Sequence, residues 1–315
     1  MFFWGDGLTF VNTGSDLYYA AGLLAELTGQ DEPLAWSKRL AHRYVETRQD
    51  PGISGYQFSQ HASYCNGPEI RGDRAQYQFA PYIHGDNRIF EGTLFRPRPI
   101  VQRQQLALAE RLGERGTPFG RWAIEELRSW REAAYRPAEN EFEPMLTDGL
   151  SLDGFVVRRE GYFGPKGRVI GPIEAGPDFL WTYARAYRAS GDDLCRATVR
   201  DIAIGLGLGD IGAPHEQPAL ESDPIPDAVG PELLCALLEL YRANGDDAYL
   251  DAAARVGGRL LAERENGLFT DDAGRAVLDD LTPLALLRLA VALRGDSLDA
   301  LPTPVGDRST PTGGV

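Results

Sequence analysis

Cysteine is scarce in this chain. Cys65, Cys195 and Cys235 lie far apart among 315 residues and form no CxxC pair. That excludes a disulfide framework and a thiolate zinc site. Histidine is nearly as rare: His42, His61, His84 and His215 occur with no HxH or HExxH spacing. A metalloprotease-type helix is therefore absent. No apolar run approaches the roughly 20 residues that would cross a bilayer, so no membrane partner is expected. The opening MFFWGDGLTF has no basic n-region and no long apolar core. It is not a signal peptide, which leaves cytoplasm and periplasm both open as locations. Neither a Gly-x-Ser-x-Gly elbow nor a GxxxxGK phosphate loop is present. Basic residues are outnumbered, 32 against 46 acidic, for a net charge of -14. An acidic body of this kind argues against nucleic acid as a partner.

What the chain has in quantity is helical periodicity. Four segments share one plan, starting at Asp16, Pro99, Asp178 and Glu232. Each runs through a helix-like apolar period, a glycine with charged neighbours, and a second such period. Leu180, Tyr183, Ala184 and Tyr187 fall at i, i+3, i+4 and i+7, and so do Leu234, Leu237, Leu238 and Tyr241. That spacing places each set on one helix face. Gly191 and Gly245 follow as helix ends, because glycine accepts the left-handed C-cap conformation. The units are helix hairpins, and LDDLTPLALLRLAVAL reads as part of a fifth. A hairpin cannot bury its stripe alone, so neighbours must stack. The fold class expected is mainly all-α: an α/α toroid, or an incomplete α/α barrel, with small β excursions in the loops. The connections GISGYQFS, ENEFEPMLTDG and NGLFTDDAGR read as rim turns, and FVVRREGYFG as part of a small strand pair. Residues 1–293 are expected to form one domain. Residues 294–315, rich in Pro, Gly and Ser without periodicity, read as a disordered tail. Phe2, Phe3 and Trp4 have nothing before them to cover them, which suggests a missing N-terminal segment or self-association.

Positive charge, scarce overall, concentrates in two loops. Between Pro68 and Arg103 stand Arg71, Arg74, Arg88, Arg96, Arg98 and Arg103 against Glu69, Asp73, Asp86 and Glu91. Around the glycine-rich GYFGPKG stand Arg158, Arg159, Lys166 and Arg168 against Glu160. Tyr64, Tyr77, Phe79, Tyr82, Phe155, Tyr162 and Phe163 are interleaved. Guanidinium forks grip carboxylates and aromatic faces stack on sugar rings, so the combination suits an acidic carbohydrate. The competing reading is that these groups tie their own loops down. Arg71, Arg74, Tyr162, Lys166 and Arg168 are the substrate-binding candidates. His61 and His84 could meet near Glu69 or Asp86, whereas His42 reads as structural and His215 lies in an acidic loop. Carboxylates for a glycosidase pair would come from Asp148, Asp153, Glu160, Glu174 or Asp178, with Glu174 foremost.

Several strings together resemble polysaccharide lyase family 2, the pectate disaccharide-lyases and related pectate lyases. They are LTFVNTGSDLYYAAGLLAELTG, WSKRLAHRYVETR, PMLTDGLSLDGFVVRREGYFGPKG, DFLWTYARAYRASGDD and GLGLGDIG, and the likeness runs from about Gly7 to Leu293. The resemblance implies an α/α barrel whose cleft holds polygalacturonate and cleaves it by β-elimination. It implies an arginine base and a divalent, manganese-like transition metal held by histidines and a glutamate. The family's chains are longer, and the segment carrying that arginine and those ligands precedes the part resembled here. No Arg-His pair occurs, and His42-Arg43 has the reverse order. The catalytic residue and the metal ligands therefore have no counterpart assigned in this sequence. Two rival readings remain: a toroidal hydrolase acting on uronides through paired carboxylates, and an inactive fragment that only binds acidic saccharides.

Overall fold

Helix hairpins form at the four places the apolar periods mark. The first pairs α1 (Val11–Thr28) with α2 (Asp31–Glu46), and the second α3 (Pro99–Leu112) with α4 (Thr117–Ala133). The third pairs α5 (Pro177–Ser190) with α6 (Asp193–Gly205), and the fourth α7 (Pro231–Asn244) with α8 (Asp247–Ala262). A further helix, α9 (Thr282–Leu293), occupies the fifth segment. The computed structural model describes residues 9–46, 48, 51–53, 57–58, 97–145, 149–156, 166–212, 216, 218–220, 229–262, 264, 267–270, 275, 277 and 280–306.

Local chemistry explains where these helices start and stop. Pro99, Pro177 and Pro231 open α3, α5 and α7. Proline suits that position because its missing N–H would be unpaired anyway and its φ is already helical. Gly191 and Gly245 close α5 and α7 in the left-handed region, at φ 69° and 70°. Each donates its N–H to a tyrosine carbonyl one turn back, Tyr187 and Tyr241, at 2.7 Å. Asp192 then starts α6 by accepting the Cys195 N–H at 2.9 Å, an N-cap that satisfies one orphan donor. Cys195 and Cys235 are both buried and form no disulfide.

The chain divides into two compact units. One holds Met1–Arg136, Glu141–Glu174 and Pro311–Val315, and the other Pro137–Asn140 and Ala175–Thr310. In the first unit α1 packs on α2 and α3, and α3 packs on α4. In the second, α5 packs on α6 and α7, and α7 packs on α8 and α9. Within each unit the first helices of its two hairpins thus lie side by side. Residues 101–108 of α3, 179–186 of α5 and 233–240 of α7 are buried in unbroken runs, as befits helices covered on every side. Their partners bury one stripe only, such as Tyr249, Ala253, Val256 and Leu260 of α8. Within each unit this is the two-layered plan of an α/α toroid. The fold class is the expected one: mainly helical, built of hairpins, with small sheets in the connections.

Those sheets are all antiparallel. β1 (Thr9–Phe10) pairs with β2 (Gln57–Phe58), and β6 (Gly209–Asp210) with β7 (Ala219–Leu220). β3 (Tyr135–Arg136), β4 (Glu141–Phe142) and β5 (Ile173–Glu174) form a three-stranded sheet. Its register puts Tyr135, Phe142 and Ile173 on one face and Arg136, Glu141 and Glu174 on the other. The first face joins the core, with Phe142 edge-on to Trp130 at 6.3 Å.

The segment after α9 is more ordered than a tail. Leu298–Ala300 forms a 3-10 turn with Leu298 buried. Arg242 donates to the Asp299 carboxylate at 2.8 Å, Arg288 to the Pro302 carbonyl at 3.1 Å, and Arg185 to the Pro304 carbonyl at 2.8 Å. Residues 307–315 lie outside the described residues.

Candidate functional site

Hairpin geometry places the long connections. Short turns at 29–30, 113–116, 191–192 and 245–246 join each first helix to its partner. The long connections, 47–98, 134–176, 206–230 and 263–281, lead into the N-terminal ends of α3, α5, α7 and α9. Loops at those ends carry most of the residues singled out from the sequence, and loops on a rigid scaffold are where binding groups collect.

Of the five substrate-binding candidates, Arg71, Arg74 and Tyr162 lie outside the described residues. Lys166 and Arg168 stand on one arm of an antiparallel ribbon. Val156 bridges Val169, Gly154 donates its N–H to the Ile170 carbonyl at 3.1 Å, and Ile170 donates back to Phe155 at 2.8 Å. Phe155 and Val156 of FVVRREGYFG belong to this ribbon, and the rest of that string lies outside the described residues. Gly167 has φ 90°, a conformation that favours glycine, so the arm turns just after Lys166. Lys166 is exposed and Arg168 half-buried.

The carboxylate candidates separate clearly. Asp148 and Glu160 lie outside the described residues. Asp153 is engaged by Arg136, which also holds Glu143 at 2.9 Å. The Ser151 hydroxyl and Arg136 together hold the Glu143 carboxyl below its usual range. Asp178 accepts the Phe179 N–H at 2.9 Å in the first turn of α5. Glu174, exposed on β5, faces Glu141 directly across the strand pair. Opposed carboxylates in such a register repel modestly.

His42 lies on the exposed side of α2. Its ring lies 5.5 Å from that of Trp122, with Nδ1 3.4 Å from Glu46. His61, His84 and His215 lie outside the described residues. Among the described residues no three His, Cys, Asp or Glu side chains converge as metal ligands. The residues described thus do not compose the histidine–glutamate set that the resemblance implies.

One group escaped sequence reasoning. Where α1 meets α3, at the loop-bearing end, the buried surface turns polar. Gln104 donates its amide to Asp16 of α1 at 2.6 Å. Gln102, Arg103, Gln104 and Gln105 are all at most 3% exposed. The side-chain carbonyl oxygens of Gln102 and Gln104 are buried without a hydrogen-bond partner, and the Gln105 amide stands within hydrogen-bond reach of the buried Tyr18 hydroxyl. Burial pushes the Tyr18 hydroxyl well above its ordinary pKa, so it stays a neutral donor. Tyr18 is set by stacking on Phe119 at 6.1 Å between ring centres. Further along the same helices the contact reverts to apolar: Gly22 lets Leu108 close in. A signal for this group did exist. Aligning the helices on their opening prolines sets Gln102, Arg103, Gln104 and Gln105 against Leu180, Trp181, Thr182 and Tyr183 of α5 and Leu234, Cys235, Ala236 and Leu237 of α7.

Comparison with known proteins supplies the family. The profile described as periplasmic pectate lyase matches residues 1–314, a little more than the sequence likeness outlined. The chain belongs to this family. The pectate disaccharide-lyase of Dickeya dadantii (strain 3937) is 32% identical over 302 residues, covering 91% of this chain and 53% of that protein. The chain thus spans about half the length of that family relative. Among solved structures, a cellobiose 2-epimerase from Bacillus thermoamylovorans shares the fold at TM-score 0.50 and 12% identity, over 90% of this chain and 72% of the epimerase. A sugar epimerase from a ruminal bacterium does so at TM-score 0.50 and 14% identity, over 93% of this chain and 74% of its own. Both likenesses concern the fold. No described helix of this family member is long and apolar enough to cross a membrane.

Proposed function

We propose that this chain acts on polygalacturonate by β-elimination, as part of a pectate lyase. The observation that carries this reading is the 32% identity, over 302 residues, to a pectate disaccharide-lyase. In the reaction a base removes the proton at C5, next to the uronate carboxylate. The electron pair forms a C4–C5 double bond and the C4–O glycosidic bond breaks, so the leaving sugar departs with the oxygen. Two groups on this chain serve the binding half of that task. Arg71, Arg74, Lys166 and Arg168 supply cations for the carboxylates of successive uronates, and Tyr162 a face for a ring. A divalent transition metal would acidify the C5 proton when bound. The described residues do not compose its ligand set.

The test is direct. Purified protein is incubated with polygalacturonate, with and without manganese, and followed in the ultraviolet, where the 4,5-unsaturated product absorbs. A rise in absorbance is expected. New reducing ends without absorbance would replace elimination by hydrolysis, a reading that Glu174 and Glu141, opposed in register, would then serve. Retention on polygalacturonate without turnover would make the chain a binding module. Neither turnover nor retention would end the pectate reading altogether.

A further inference from the structure

We propose that the outward faces of α1 and α9 are docking surfaces for the remainder of a family-length protein, the part that lies beyond the match to this chain. The inference rests on family membership and not on the catalytic reading. Three observations carry it. First, each face is apolar and open. Leu17, Ala20, Leu24 and Leu27 of α1 fall at i, i+3, i+7 and i+10, which is one side of a helix. Leu24 and Leu27 are 49% and 80% exposed. Leu286, Leu287, Ala290 and Leu293 share one side of α9, where Leu287 and Leu293 are 48% and 55% exposed. Second, the charged groups are turned the wrong way for a solvated surface. Those of α1 are Asp16 and Glu26, and both reach to α3, where they accept from Gln104 and Arg111. Arg288 is the one charged residue of α9, and it points inward at 4% exposed. A helix with an apolar outer side and its charge engaged inward has the pattern of a helix covered all round. Third, the place of these faces and the length of the chain agree. In the middle of the series α3, α5 and α7 bury their residues in unbroken runs, whereas α1 and α9 are its first and last helices. This chain covers 53% of the Dickeya dadantii relative, so nearly half of that protein lies beyond the match. Stripes of leucine and alanine fit the ridges of further helices, which would continue the packing seen within each unit.

The experiment co-expresses the full chain with the part of the Dickeya relative that lies beyond the match, each carrying a different tag. Capture of one by the other is scored against that by the relative's own matching portion. The parent is compared with the double variant Leu24→Glu, Leu27→Glu and with Leu287→Glu, beside a thermal melt and light scattering of the free chain. All three residues are exposed, so the melting midpoint of the free chain should hold. The inference expects capture by the parent and about tenfold weaker capture by either variant, because a carboxylate would be buried unpaired in the joint. A parent chain that captures nothing where the relative's own portion does would overturn it. So would capture that the substitutions leave unchanged. A free chain that is dimeric, and monomeric in the variants, would give the faces to a second copy and overturn it. A lowered midpoint with unchanged capture would mark the faces as covered within the chain and overturn it. Turnover of polygalacturonate is read separately, so failure here leaves the pectate reading intact.

Discussion

Asp210 is held at about 2, below the ordinary 3.8, chiefly because Arg200 grips both its oxygens. The Nε and Nη2 atoms of Arg200 donate at 2.6 and 2.5 Å, and the Gly212 N–H adds a third bond at 2.8 Å. A depressed carboxyl contributes stability above its unfolded pKa and loses it as pH falls through the folded value. The contribution is therefore complete above pH 3.8 and gone below about 2. Carboxyl-carbon NMR should show Asp210 titrating near 2, moving toward 3.8 in Arg200→Ala; a midpoint already near 3.8 in the parent would refute the pairing. Both partners are more than a third exposed, so the melting midpoint at neutral pH should hardly move. Lys166 and Arg168 make the opposite case under the proposed function, which gives them their value in the ligand. Replacing both by alanine should weaken galacturonate binding several-fold at low salt and much less at high salt, because exposed charge contacts are screened. Equal loss at both salt concentrations would point to a collapsed ribbon instead.

At the scale of elements, the turn between α3 and α4 depends on a close approach. A Cβ on Gly116 would stand 2.4 Å from the Leu108 carbonyl oxygen and 2.8 Å from the Ala109 Cα, both backbone atoms of α3. Neither can yield alone, so Gly116→Ala should cost about 1–3 kcal/mol, by overpacking. Gly191→Ala meets nothing within 4 Å and pays only for φ 69°, about 1 kcal/mol. Thermal melts of the two variants check the order, and a reversed order would mean that the turn relaxes. The hairpins were legible beforehand because amphipathic period and glycine punctuation are local signals. Gly191 and Gly245 end their helices as expected for that reason. The glutamine run of α3 was not legible in the same way. Polar residues in succession on a helix ordinarily mark a solvated face, and only the burial of this helix on all sides reverses their meaning. The ribbon around Lys166 was readable from its alternation.

At the scale of the whole molecule, the residues after α9 carry the instructive departure. A Pro-rich stretch without periodicity reads as a tail, yet residues 298–304 are tied in turn to α7, α9 and α5 through Arg242, Arg288 and Arg185. The bond from Arg185 to Pro304 spans 119 residues of sequence, a distance over which no local pattern signals contact. Arg288 is 4% exposed, a burial that lowers its pKa, so its guanidinium depends on acceptors supplied by the protein. Arg185 is fully buried as well. Stopping the chain after Gly306 keeps all three bonds and should leave the melting midpoint where it is. Stopping it after Arg294 removes all three acceptors: the buried Arg185 and Arg288 each lose a bond worth about 1.5–3 kcal/mol, whereas Arg242 keeps Glu239 at 3.6 Å and its pair with the exposed Asp299 is worth about 1 kcal/mol at most. The expected fall in midpoint is on the order of 10 °C. Hydrogen exchange should quicken first in α5, α7 and α9, while α1 to α4 keep their protection. Truncation after Arg294 with an unchanged midpoint and unchanged exchange in α5 would return this segment to the status of a tail.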